Sequence, residues 1–229
     1  MHKLIDLTQL TYASIAARLN HSTHLGIFLA ERLTPVNMLD TKSKILSAAC
    51  DIYLEHGSKG MSMRKVASKA GITPTAIYRH YESKEALHHQ VLIDGFRKFG
   101  SYLYPALAGA TPLDRLNQAA DAFFRFAPEQ ARYYELLFLT MDSTDEIKVD
   151  KTLQQEALAT YEFIINSVKS CMNAGIFKED NPEEVAMLLL STCNGFFGLY
   201  VSKKFDGSIQ EMKEKYDRTY KRILRGLST

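Results

Sequence analysis

Tryptophan is absent from this chain, and proline and cysteine are scarce, with six and three residues among 229. The cysteines exclude one class of protein. Cys50, Cys171 and Cys193 are odd in number, far apart and set in apolar helical patterns, which argues against a disulfide framework and fits a reducing cytoplasm. They also find no histidines at zinc spacing. His88 and His89 would point about 100° apart on a helix, no carboxylate or thiol joins them or His80, and His21 and His24 stand three apart without company. No metal site and no cofactor is expected, and these histidines read as surface residues. Catalytic signatures are missing too: there is no G-x-S-x-G, no glycine-rich phosphate loop and no supported Ser/His/Asp spacing, so no enzyme is expected.

Residues 1–38 form an extension without a helical face that continues into the next element. Asp6, Thr8 and Gln9 interrupt any apolar core after Lys3, and Leu25–Ala30 is far too short to cross a bilayer, so neither export nor a membrane partner is expected. Met38 stands directly before the first strong helix. Two readings of the extension stay open: upstream sequence or a dispensable arm before a natural start at Met38, or a genuine arm that touches DNA or the second domain.

Alternation of period two does not persist anywhere, whereas apolar spacings of three and four recur from residue 41 onward, which predicts an all-α fold. With 46% hydrophobic residues the chain can bury a sizeable core in one or two domains. Net charge is only +2, so no chain-wide field attracts polyanions, yet one segment departs from that balance. Between residues 62 and 84, Arg64, Lys65, Lys69, Arg79 and Lys84 stand against Glu82 alone. The same segment reads as two short helices joined by a tight turn. Met63, Val66, Ala67 and Ala70 make an apolar stripe closed by Gly71, and Ile72 follows as a buried plug. Thr73 is placed to cap the next helix, with Pro74 at its first position. A helix over 74–81 turns Ile77 and Tyr81 inward and leaves Thr75, Ala76, Tyr78, Arg79 and His80 outside. These suit a major groove: Thr75 for a base edge, Ala76 for close approach, Arg79 for guanine or phosphate, Tyr78 and His80 for the backbone. A preceding helix from about Thr41 to His56, with Ile45, Ala49, Ile52 and Tyr53 on one stripe and Gly57 as its stop, packs across the pair. Ser83 caps a following helix to about Tyr104. Lys84 in its first turn opposes the helix dipole unless both face a phosphate.

Residues 39–99 resemble the N-terminal domain of TetR-type transcriptional regulators. The likeness rests on the helix ending at Gly57, the block Met63–Thr73 (MRKVASKAGIT), the aromatic-rich Ile77–Tyr81 and the run Ser83–Leu87. It implies that Ser62 and Met63, with Arg64, begin the second helix beside the DNA backbone, that Thr73, Pro74, Thr75 and Ala76 face bases, and that Tyr78, His80 and Lys84 hold phosphates. Pro74 stands where many members carry a polar side chain, which shifts readout toward Thr73, Thr75 and Arg79. For residues 100–229 the resemblance implies only helices that form an effector pocket and a two-helix dimer face.

In that C-terminal part, Leu113, Leu116, Ala120, Phe123, Phe124 and Ala127 predict a helix from Pro112 that breaks at Pro128 before another over Glu129–Met141. Leu158, Tyr161, Ile165, Val168 and Met172 predict a stripe on a helix from about Asp150 to Asn173, closed by Gly175. Pro182 opens the next helix, to about Lys204, and Ser208 caps the last. Phe123, Phe124, Tyr133, Tyr134, Phe138, Met141, Tyr161 and Phe163 are either plain core or the lining of an aromatic pocket, with Tyr134, Tyr161 and Asn194 as polar contacts. Ser191, Gly195 and Gly198 at helical spacing, with Tyr216 and Ile223 on the last helix, suggest close approach of a second copy; packing within the chain is the rival. The basic residues from Lys213 to Arg225 are interleaved with Glu214 and Asp217 and read as a solvated face.

Together these features predict a cytoplasmic homodimeric repressor that leaves a palindromic double-stranded DNA operator when a small-molecule effector binds. The alternatives are an activator of the same type, or a helical ligand-binding or enzymatic protein whose three-helix unit is structural.

Overall fold

A computed structural model describes residues 36–139 and 151–229. The extension up to residue 35 with His21 and His24, Met141, and the end of the helix expected over Glu129–Met141 lie outside the described residues. The fold is all-α. Among the described residues there is no strand, only an antiparallel bridge between Phe177 and Ser228. In chain order the helices are α1 (Val36–Gly60), α2 (Met63–Lys69), α3 (Pro74–Ile77), α4 (Lys84–Leu103), α5 (Pro112–Glu129), α6 (Ala131–Tyr134), α7 (Lys151–Asn173), α8 (Pro182–Val201) and α9 (Ile209–Leu227), with a 3-10 turn at Tyr104–Ala108 and a π turn at Glu135–Leu139.

The chain divides into two compact units. Of the described residues, the first holds those up to Asp94 and those of Glu135–Leu153; the second holds Gly95–Tyr134 and Gln154–Thr229. In the first unit α1 packs against α2 and the π turn. Ile45, Ala49, Ile52 and Tyr53 of α1 meet a core that includes Met63, Val66, Ala67, Ile77, Leu87 and Val91, all buried. Helix α1 begins earlier than the apolar stripe announced, and at Gly57 the backbone leaves helical geometry (φ 65°, ψ −179°), a conformation open to glycine, before a last turn ends at Gly60. Ile72, expected as a plug, is only half-buried. His88 is a second correction: it is buried and stacked on Tyr53 with ring centroids 4.3 Å apart, so it is a core residue and not a surface one.

In the second unit, reciprocal capping boxes start α5 (Thr111 with Asp114) and α9 (Ser208 with Glu211), and the Asn181 side chain caps α8. Pro128 does not break α5; it sits in the last turn, and the helix ends where Gln130 leaves helical dihedrals. Helix α8 is long and apolar enough to cross a bilayer, with a mean hydropathy of 1.4. However, Val185, Ala186, Leu189, Leu190, Cys193 and Phe197 bury one face of it against its own unit, as a core helix does. The buried face of α7 is rotated from the expected stripe. Tyr161 and Val168 are buried as expected, but Leu158, Ile165 and Met172 are half-exposed, and Leu153, Ala157, Ile164 and Cys171 take their place. Polar residues disguise that face: Glu156, Thr160 and Ser167 are also buried. Each has a partner, Glu156 the Arg97 guanidinium of α4 at 2.6 Å, Thr160 the Ala157 carbonyl and Ser167 the Phe163 carbonyl. After α7, closed by Gly175 at φ 67°, the chain returns to α9: the Lys178 amide donates to the Leu227 carbonyl at 2.8 Å and the Thr229 amide to the Ile176 carbonyl at 3.3 Å.

Candidate nucleic-acid interface

Three successive caps set this surface. Ser62, extended at φ −142°, accepts the Lys65 amide and starts α2. At the far end Gly71 takes φ 70° and the Ile72 amide returns to the Ala67 carbonyl at 3.0 Å, so the chain reverses within three residues. Thr73 then accepts the Ala76 amide on its hydroxyl oxygen at 3.1 Å, with Pro74 in the first turn where its missing N–H leaves nothing unsatisfied. Regular α-helix lasts only through Ile77. Beyond it, Arg79 and His80 donate to carbonyls three residues back, and Tyr81 donates to Ile77 at 3.0 Å, so the expected helix over 74–81 is one α-turn extended by tighter turns. Ser83 opens α4 by accepting the Ala86 amide at 3.0 Å, with Lys84 as its first residue.

Ile77 is fully buried and Tyr81 nearly so. Thr73, Pro74, Thr75 and Arg79 are exposed, as is Tyr78 at 57%, while Ala76, His80 and Lys84 are half-buried. An apolar inner edge thus carries a polar, aromatic and cationic outer one. Burial, with the Asp94 carboxylate nearby, pushes the Tyr81 hydroxyl's pKa above its ordinary value, and this hydroxyl has no hydrogen-bond partner among the described residues. In α2, Arg64 is exposed and Ser62 half-buried, but Met63 corrects the expectation: its side chain is buried at 7% exposure and only its backbone can face a phosphate. Two lysines of the basic segment already have intramolecular partners, which the linear sequence could not reveal. Lys65 donates to the Gly60 carbonyl at 2.9 Å, and Lys69 reaches Glu55 and Asp51 of α1.

Of the candidate effector residues, Phe123, Tyr134 and Tyr161 are buried in the second unit with Asn194 half-buried, while Phe138 belongs to the first. The aromatic rings pack on one another: Phe123 meets Tyr134 edge-on at 6.0 Å, and Phe197 lies 5.3 Å from Tyr134 and 4.7 Å from Phe124. The Tyr134 hydroxyl donates to the Asn194 side-chain oxygen at 3.0 Å. A cavity of about 20 Å³ remains beside them, walled by Leu116, Ala119, Ala120, Phe123, Ile164, Leu189, Leu190, Cys193 and Tyr220. Burial pushes the Cys193 thiol up to about 12, despite its 2.9 Å contact with the Tyr216 hydroxyl. That contact corrects Tyr216: at 1% exposure it is core, stacked with Tyr220, and not an outward face. Ser191 and Gly195 are exposed, Gly198 and Ile223 half-buried, and a Cβ added at either glycine would meet nothing within 4 Å. Leu188 and Leu199 on the same helix are each 47% exposed.

Residues 45–91 match the family of bacterial regulatory proteins called tetR, and residues 116–227 match the tetracyclin repressor-like C-terminal domain. The transcriptional regulator UidR of Escherichia coli is 36% identical over 157 residues, 68% of this chain and 79% of UidR. The transcriptional activator FasR of Mycolicibacterium smegmatis is 29% identical over 100 residues, 43% of this chain and 46% of FasR, so the match spans under half of that relative's length. Among solved structures, the transcriptional regulator FadR of Bacillus subtilis in complex with stearoyl-CoA shares the fold, with a TM-score of 0.67 at 15% identity over 81% of this chain and 98% of FadR. Helix-turn-helix geometry, charge and kinship over both halves agree: the chain belongs to the tetR family and is a DNA-binding transcriptional regulator.

Proposed function

We propose that the protein acts in the cytoplasm as a homodimeric repressor without enzymatic activity, placing two copies of the 73–81 segment in successive major grooves of an inverted-repeat operator. The observation that carries this reading is the two-sided turn after Thr73, with Ile77 and Tyr81 buried and Thr75, Tyr78 and Arg79 outward. Thr73, Thr75, Ala76 and Arg79 read bases; Ser62, Arg64, Tyr78, His80 and Lys84 hold the backbone. Half-sites would then lie roughly 34–36 Å apart or a multiple of that. The exposed side of α8, with Leu188, Ser191, Gly195 and Leu199, together with Ile223, supplies the dimer face, because a small-residue path between exposed leucines lets a second α8 approach closely.

A small-molecule effector binds the second unit by parting the Phe123, Tyr134 and Phe197 rings, with Tyr134 and Asn194 as its polar contacts, and it favours a dimer that no longer fits the operator. The apolar cavity walls suit an apolar molecule, in keeping with the stearoyl-CoA bound by FadR. The test is selection of bound sequences from a random DNA pool, followed by affinities across a salt series. An inverted repeat is expected. Arg79→Ala should weaken binding to that repeat by roughly 10-fold or more, and Lys84→Ala should weaken all DNA and lower the salt slope by about 1. Undiminished affinity in both variants would overturn the contact map.

A further inference from the structure

We infer that Lys69 is a positioning residue for DNA binding, which clamps the end of α2 to α1, and is not a phosphate ligand. Its ammonium lies 2.9 Å from Glu55 Oε1 and 3.5 Å from Asp51 Oδ2, while His56 Nε2 lies 3.7 Å from the other Glu55 oxygen. The clamp lies at the surface, with side-chain exposures of 35% for Lys69 and 56% for Glu55, and only Asp51, at 18%, is sheltered. Hydrogen bonding to Glu55 holds the lysine's pKa above its ordinary value, and Asp51 adds to this, so the positive charge stays where the acids are.

Its place in the chain makes the clamp consequential. Lys69 is the last residue of α2; Ala70 and Gly71 follow, and Thr73 caps α3. Helix α2 has seven residues, well short of the length at which a helix holds itself in water, so its orientation comes from tertiary contacts. The buried Met63, Val66 and Ala67 hold it to the core, but apolar contact is non-directional and leaves roll and slide poorly fixed. A charge-assisted hydrogen bond between Lys69 and Glu55 is directional and supplies that restraint at the point where the turn departs. The angle at which α3 leaves α2 is thereby tied to α1 through one side chain.

The two roles predict opposite signs. A phosphate ligand flanked by acids would bind DNA better once the acids were neutralised, since Asp51 and Glu55 repel phosphate. A clamp would bind worse. The inference rests on DNA being read through α3, and that premise is tested separately by the selection. The experiment uses the full chain with two 30-base-pair duplexes, one carrying the selected repeat and one scrambled, titrated from low to high KCl alongside thermal melts. Lys69→Met should lower affinity for the repeat by about fivefold, the effect of one partly exposed ion pair, while leaving the scrambled duplex and the salt slope unchanged. Lys69→Arg should restore binding, because a guanidinium can bridge both carboxylates. The double variant Asp51→Asn, Glu55→Gln keeps the lysine and should also lose affinity for the repeat, although it removes two negative charges. A salt slope reduced by about 1 in Lys69→Met, equal losses on both duplexes, or tighter binding in the double variant would each overturn the inference. So would a lowered melting temperature with affinity unchanged, which is what a purely structural role produces.

Discussion

The Thr73 hydroxyl oxygen already accepts the Ala76 amide, which leaves its proton as the group able to reach DNA. One side chain therefore serves the cap and, in the complex we propose, the contact as well. Thr73→Ala removes both, and a thermal melt should show a loss of about 1 kcal/mol from the cap alone, whereas Thr73→Ser should keep stability near that of the parent. This role was legible in the sequence, because Thr73 and Pro74 supply what a helix start needs, a capping hydroxyl and then a residue with no N–H to satisfy. Met63 carried two readings, a place on the apolar stripe from its spacing and one beside the DNA backbone from the resemblance, and its buried side chain follows the spacing. The cysteines carry a pH expectation. Burial raises the Cys171 thiol to about 11 and that of Cys193 to about 12. A folded-state pKa raised above the unfolded value of about 8.5 means that the thiols' contribution is complete below that pH and falls as pH climbs toward 11 and 12. Native protein at pH 8 should resist alkylation at both sites by mass spectrometry, and urea midpoints should decline above about pH 9.

Helix α7 shows where reading by element succeeds and where it fails. Its length and its closure by Gly175 follow from local chemistry. Its orientation does not, because the apolar positions Leu158, Ile165 and Met172 repeat every seven residues and drift about 20° per repeat against a 3.6-residue helix. The face that is buried carries a carboxylate and two hydroxyls whose partners are three or four residues away or on another helix. The Glu156 ion pair with Arg97 gives a direct test. Arg97→Met leaves a carboxylate of 8% exposure without its partner and should destabilise the protein by about 1–3 kcal/mol in urea titrations; Glu156→Gln should lose less. In α8 the sign runs the other way. Gly195→Ala meets no neighbour in its own chain and should raise the stability of an isolated subunit by about 1 kcal/mol. If a second α8 packs there, the added methyl should nonetheless weaken self-association in sedimentation equilibrium, and unchanged association would move the dimer face elsewhere.

At the scale of the molecule, the first unit is far more readable than the second. The helix-turn-helix segment is defined by caps, a positive-φ glycine and charge, each of which is local and leaves a mark in the order of residues. In the second unit Phe123, Tyr134 and Phe197 pack on one another, and composition is the same whether such rings close together, as here, or open around a ligand, as we propose. A charge count meets the same limit: five basic residues in 62–84 suggest a uniform positive face, but Lys69 belongs to an internal ion pair and Lys65 to a carbonyl. The backbone link that joins the segment after α7 to the end of α9 has its own consequence. It ties two segments some fifty residues apart in sequence into one closed loop, so neither can fray alone. In hydrogen–deuterium exchange, the Lys178 and Thr229 amides should become labelled together, at the pace of the whole second unit, although chain ends ordinarily exchange within seconds.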